Sequence, residues 1–292
     1  MFASLLLVAA ALSAQAPDTT FAIRAGDRLR VSTREGDITV RSWNRNEVEV
    51  RSGDRDDDDR SRGVRVSRSG SVITVDAAGG WMGGGDLDVV IRMPATVSLS
   101  ANSVEGDITV DGIAAPVSVE TVEGDVLVRG ARGNVTASAV DGTVDLRDTE
   151  GNISASSVND DVLITSARGR VAAEAVNGDV MVLDSRSDAV SLSSVNGDLV
   201  FSGPLSARGQ YDMSTHNGDI VLGVQSGASA SVTVSTFQGD FESDHQIQVT
   251  SRNDRRFSFS LGGGSATVKL DSFQGTIHLT TPEAVARLIQ DD

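Results

Sequence analysis

The sequence predicts an all-β chain wound as a parallel β-solenoid, right-handed, with about 18 residues per coil. Three observations predict it. An eight-residue phrase recurs between Ser103 and Phe201 as SVEGDITV, TVEGDVLV, AVDGTVDL, SVNDDVLI, AVNGDVMV and SVNGDLVF. Within each phrase apolar and polar residues alternate with the period of a strand, Ile108 and Val110 on one side and Thr109 on the other. The composition is poor in aromatics, at 4%, and rich in glycine, with 30 in 292 residues, while Val and Ile favour strands.

The first element is residues 1–16, MFASLLLVAAALSAQA. Its apolar run is too short to span a membrane, and Ala14-Gln15-Ala16 has the small-x-small form of a signal-peptidase site, so it reads as a cleaved signal peptide. No later segment is apolar enough to cross a membrane as a helix. Residues 17–100 read as an irregular β cap with short alternating stretches and one early copy of the phrase, Glu35-Gly36-Asp37-Ile38. Two excursions interrupt it, the acidic run Asp56–Asp59 and a stretch around Trp81, both expected as exposed loops.

Residues 101–250 carry the repeat. Aligned on the turn, Gly106, Gly124, Gly142, Asp160 and Gly178 follow at steps of 18 and Gly197 at 19; Gly218 and Gly239 follow at steps of 21, and Gly275 lies 36 further on. Half-repeats at Gly133-Asn134, Gly151-Asn152 and Gly169-Arg170 make the elementary unit about nine residues. Such a unit is too short for a helix plus a strand and cannot bury its apolar side alone, so units must stack. Two strands per coil then give two facing parallel sheets. Seven to eight coils about 4.8 Å apart would make a rod on the order of 35 Å long.

Three apolar columns are expected to fill that rod: Val126/Val128 and their equivalents, Val135/Ala137 and theirs, and Val104, Val122, Val140, Val158, Val176 and Val195 before each turn. His216 occupies the last column and is expected as a core or rim filler. The small Ala137, Ala155 and Ala173 predict a thin, dry slot. Outward positions Thr109, Leu127, Asp145, Leu163, Met181, Val200 and Val221 form an increasingly apolar stripe suited to packing on a loop, a partner or another copy. Before each turn position, Glu105, Glu123 and Asp141 give way to Asn159, Asn177, Asn196, Asn217, Gln238 and Gln274, a ladder of acids passing into amides. Amides can hydrogen-bond rung to rung, while stacked carboxylates repel. Residues 251–292 read as a last coil and a short capping helix beginning at Pro282 after a threonine.

Chemistry is sparse in this sequence. There is no cysteine, which excludes disulfides and thiolate sites. The net charge of −16 is carried by the middle of the chain, a surface that repels nucleic acid. The repeated Gly-Asp differs from calcium-binding nonapeptides, which carry several glycines and an Asp in every unit; here Arg170 stands where a cation ligand would be needed. Gly106, Asp107, Gly124, Asp125, Gly142, Asn159, Gly178, Asp179, Gly197, Asp198, Gly218, Asp219, Gly239 and Asp240 are therefore assigned as a structural turn ladder, in which glycine supplies positive φ and Asp or Asn completes the turn. No catalytic, cofactor-binding or metal-binding residue is assigned.

The order GDITVRSWNRNEVEV from Gly36, then Ile91-Arg92-Met93-Pro94, then the repeated phrase, resembles the bacterial family of putative adhesins with β-strand repeats, a family of unknown function. The resemblance covers roughly Ile23 to Leu279 and implies an exported, β-helical, non-enzymatic envelope protein. The expected function is an adhesin-like or scaffold protein, periplasmic or at the cell surface, that presents a surface to an envelope protein or surface ligand without any cofactor. The alternatives are a glycan-degrading β-helix enzyme and a self-assembling scaffold.

Overall fold

The computed structural model describes residues 19–24, 26–53, 64–77, 87–252 and 256–291. The expected signal peptide, the acidic run and the stretch around Trp81 lie outside the described residues. Within them are 27 strands and one helix, and the strands form two long, mostly parallel sheets of 13 and 14. The chain alternates between the sheets: Val117–Glu123 lies in one, Val126–Arg129 in the other, and Val135–Ala139 in the first again. Register follows the repeat, with Val126 beside Val144, Val144 beside Val162 and Val162 beside Val180.

Eleven coils each give one parallel strand to each sheet. The count exceeds the seven to eight expected because residues 17–100 are not an irregular cap. They supply two regular coils, 28–43 and 72–94, built on the same alternation. The expected boundaries at 100 and 250 fall inside strands Ser98–Glu105 and Gln248–Arg252.

The coils do not stack in sequence order at either end. Strand Ile38–Trp43 lies between Asp88–Pro94 and Ile108–Asp111, so the first coil is sandwiched by two later ones. At the other end Ile277–Thr280 lies between Ile220–Gly223 and Phe241–Ser243. The Gly275 turn thus stacks on Gly218, and Gly239 stacks beyond it, which corrects the order read along the sequence. Beyond these coils, antiparallel strands cover the open edges. Glu47–Gly53 pairs with Asp88–Pro94, Arg65–Ser69 with Val72–Asp76, and Arg256–Leu261 with Ala230–Thr236. Phe241, Phe257 and Phe259 fill the core at the last of these, their ring centroids 4.9–6.0 Å apart.

The core is the slot between the sheets. Val126, Val144, Val162 and Val180 are fully buried, as are Val128, Leu146, Ile164 and Val182. Each such side chain contributes about 1.5–3 kcal/mol. Small Ala137, Ala155 and Ala173 are buried in the facing sheet, and that column enlarges through Leu192, Met213 and Leu270 towards the C-terminal end.

Departures from the 18-residue step have local causes. Arg170 pairs with Ala189 while Gly169 pairs with Ser187, so Asp188 is an extra residue in a bulge, and it makes the step of 19. The step of 21 that follows accommodates the turn at 203–209. That turn is held by the buried Tyr211, whose hydroxyl accepts the N–H of Ser206 at 2.8 Å and donates to the carbonyl of Ser187 at 2.9 Å. Burial pushes the phenol pKa of Tyr211 up.

The helix α1, Pro282–Asp291, forms where expected, with the Thr281 hydroxyl accepting the N–H of Ala284 at 3.3 Å. It does not cap an end of the stack. It packs beside strands Leu199–Ser202 and Ile220–Gly223, where Gly223 leaves room for the buried Val285.

The turn glycines are fixed by how closely the coils approach. A Cβ on Gly124 would lie 2.5 Å from the carbonyl oxygen of Gly106. On Gly142, Gly197, Gly218 and Gly275 it would come closer still to the glycine carbonyl of the adjacent coil. Gly197→Ala is expected to cost about 2–4 kcal/mol in urea unfolding, and Gly263→Ala, where only the Ser229 hydroxyl lies near, about 0.5 kcal/mol or less. A second expectation concerns acid. The buried Asp27 carboxylate is held below the usual carboxylate range chiefly by the backbone N–H of Arg24, against desolvation, with help from its ion pair to Arg68. The stabilisation is therefore complete above the ordinary carboxylate pKa and is lost as pH falls through the lowered one. Asp27→Asn should flatten the acid limb of stability against pH.

Candidate functional site

The functional groups gather in parallel ladders at the corner where a strand of the 14-stranded sheet bends into its turn. Strand Val117–Glu123 shows how. Val117, Val119 and Thr121 point inward, and Ser118, Glu120 and Val122 point outward. The inward hydroxyl three residues before the glycine then donates to the glycine carbonyl of the adjacent coil. Ser157 reaches Gly142, Ser194 reaches Gly178 and Thr215 reaches Gly197, at 2.9–3.0 Å.

One residue before the glycine lies the ladder of acids and amides. Asn177 donates to Asn159 at 3.0 Å, Asn196 to Asn177 at 3.0 Å and Asn217 to Asn196 at 2.8 Å. Asn159 donates in turn to Asp141, where the amide run meets the acids. Asn159 thus belongs to this amide ladder, and Asp160 occupies the glycine place in its coil. Further along, Glu123 lies beside Glu105 in the sheet register, and neither has an ion-pair partner among the described residues.

After the glycine comes a third ladder. The backbone N–H of Asp125 donates to the Asp107 carboxylate at 2.8 Å, and Thr143 N–H donates to Asp125 at 2.8 Å. A second run passes from Asp161 through Asp179, Asp198 and Asp219 to Thr276, at 2.7–2.8 Å per step. These carboxylates were expected to complete their own turns; they bond instead to the next coil. The 18-residue recurrence of Asp107 and Asp125 already placed them one above the other.

The correction that matters most for function lies two residues before the glycine. Val104, Val122, Val140, Val158, Val176 and Val195 are not an interior column. They stand outside, from 45% exposed at Val104 to 38% at Val140 and Val158. The line continues through His216 to Phe273 and Phe237, whose rings stack at successive centroid distances of 4.7 Å. Of the eleven exposed large hydrophobic residues described, eight lie on this one ridge. The signal was present in the sequence: alternation puts Thr121 inward, so Val122 must point out. The stripe expected to pack on a loop, a partner or another copy, Leu127 to Val221, is only half-exposed, because each residue is flanked by its neighbours. Beside the ridge run grooves of ≈ 430 and 460 Å³, with floors of Ser138, Ser156, Ser193 and Ser214.

At another corner a groove of ≈ 570 Å³ is lined by Arg132, Glu150, Arg168 and Arg186. Asp148, Ser166 and Asp184 border it in left-handed conformations that Gly112 and Gly130 hold in earlier coils. It is a polar trough of mixed charge. The three histidines stay apart. His245 bonds the Thr280 carbonyl and His278 pairs with Glu242 at 3.3 Å, while His216 lies on the ridge. Among the described residues no group of His, Asp and Glu is placed to hold a metal ion.

A family model described as Toastrack DUF4097 matches residues 9–280. No curated protein matches the chain. A crystal structure described as a "putative cell adhesion protein" from Clostridium sporogenes matches at 9% identity and a TM-score of 0.24, over 91% of this chain and 100% of that one. At that score the likeness carries no argument.

The aspartate ladder makes a specific demand on side-chain chemistry. Asp179→Asn keeps an acceptor for the N–H of Asp198 and should leave stability nearly unchanged, whereas Asp179→Ala should cost about 1–2 kcal/mol in chemical denaturation.

Proposed function

The chain belongs to the Toastrack DUF4097 family, and from that premise we propose that it is an exported, non-enzymatic β-solenoid, right-handed and about 18 residues per coil, that acts by presenting a binding surface in the cell envelope. The observation that carries this reading is the ridge from Val104 to Phe237. Exposed apolar side chains are common singly, but a contiguous line of them marks an interaction site. The ridge is built on backbone that is paired on both sides, so its side chains are held in fixed positions and lose little freedom on binding.

The packed core supports the same reading. Both sheets send buried side chains into the slot, and the hydrogen-bonded amides and carboxylates run along the rod in ladders. A helix long and apolar enough to cross a membrane is absent among the described residues. The protein works in the periplasm or at the cell surface, as an adhesin-like or scaffold component.

Retention of the purified protein on bacterial envelope fractions tests the reading. Val122→Asp combined with Val158→Asp should reduce retention at least tenfold while the β-sheet circular dichroism is unchanged. Equal retention of the variant would remove the ridge from the function. Turnover of any member of a glycan panel, abolished by a single carboxylate substitution, would overturn the non-enzymatic reading.

A further inference from the structure

We propose that the ridge docks a second copy of this chain, in an antiparallel, two-fold pairing centred on Val176. This rests on the reading of the ridge as a docking face and names its occupant. In stacking order the ridge has nine members: Val104, Val122, Val140, Val158, Val176, Val195, His216, Phe273 and Phe237. One half is made of valines and the other ends in large rings. A two-fold axis at the fifth member sets Val104 opposite Phe237, Val122 opposite Phe273 and Val140 opposite His216, small against large at these three steps, with Val158 opposite Val195 and Val176 opposite itself at the centre. A parallel pairing would set ring on ring at one end and leave a gap between valines at the other.

The ladder alongside the ridge favours the same arrangement. Beside the ridge its nine rungs run from Glu105, Glu123 and Asp141 to Asn217, Gln274 and Gln238, and Glu35 lies one rung beyond Glu105. Antiparallel pairing sets Glu105 against Gln238, Glu123 against Gln274 and Asp141 against Asn217, so each carboxylate faces an amide that can donate to it. A parallel two-fold would turn the ladder to the opposite side of the mate's ridge, where Glu123 would face Glu120 instead of an amide. A closed two-fold contact needs such self-complementarity, because each patch meets itself.

Nine rungs at about 4.8 Å span roughly 38 Å. A strip about 15 Å wide over that length covers roughly 1,100 Å² on the two copies together, near the lower bound of a specific interface. On the flank, Glu174 would face its own mate and Glu120 would face Asp271. These contacts, together with a net charge of −16 on each copy, make the pairing weak and reversible and make it tighten as salt screens the repulsion.

Sedimentation velocity of the purified protein across roughly 1–300 μM tests it directly. The mass should move from that of one chain towards twice that value, and added salt should shift the midpoint to lower concentration. Val158→Asp should raise the dissociation constant at least tenfold. A monomer at every concentration and salt level overturns the proposal. The chain has no cysteine, so introduced ones report register without background. On mild oxidation Val176→Cys should cross-link to itself, and Val122→Cys should cross-link with Phe273→Cys in a mixture but not with itself. Self-cross-linking of Val122→Cys with none to Phe273→Cys would establish the parallel pairing and overturn the antiparallel one. A monomeric protein whose envelope retention still falls on Val158→Asp would refute the second copy and leave the docking face standing. Insensitivity of both measurements would refute both.

Discussion

The fold depends on how closely two coils approach at the turn. There the carbonyl of one glycine points straight at the next glycine, with no room between them for a single carbon. Around that contact three kinds of hydrogen bond close. Strand N–H groups bond along the sheets, inward hydroxyls bond the glycine carbonyls, and aspartate carboxylates take turn N–H groups from the adjacent coil. A backbone this near its neighbour permits one stagger only, and a shift of one residue would send every buried valine to the outside. The columns of the core and the ladders of the exterior are two results of that single stagger.

The same stagger explains why the polar groups run in ladders along the rod. Each outward position is copied coil after coil, so a side chain finds its own equivalent as its nearest neighbour. Amides use this to bond in series, aromatic rings use it to stack, and acids are left facing acids. Variation along the rod then becomes a slow change in character, from carboxylate to amide and from valine to phenylalanine. It is this gradient that gives the exterior a direction.

Much of this was legible in the sequence. The phrase spacing by itself places Val126 beside Val144, and Asn177 beneath Asn196. The helix at Pro282 was readable from its Thr-Pro start. What escaped had physical reasons. The valine before the turn acid resembles a core residue by composition, and only counting the parity from Val117 reveals that it faces out. The coils 28–43 and 72–94 carry fewer copies of the phrase, because the antiparallel strands Glu47–Gly53 and Arg65–Ser69 lie between them in the sequence and break the period. The non-sequential stacking at both ends was hidden altogether, since a parallel strand pairs equally well with either neighbour of matching register. Whether the Gly275 turn lies on Gly218 or beyond Gly239 is decided by three-dimensional packing, as are the seat of the helix and the conformation of Asp184.

The sandwiched first and last coils give the molecule an unusual relation to force. In a simple stack, a pull on a terminus peels off the outermost turn and then the next, each with little resistance. Here the strands 38–43 and 277–280 are gripped on both edges. Once the edge strand Thr19–Ala22 or the helix has been pulled away, tension loads two rows of hydrogen bonds at once, and the first coil to yield is an inner one. A filament or tether attached through its termini would hold until several layers failed together, and it would then give way abruptly.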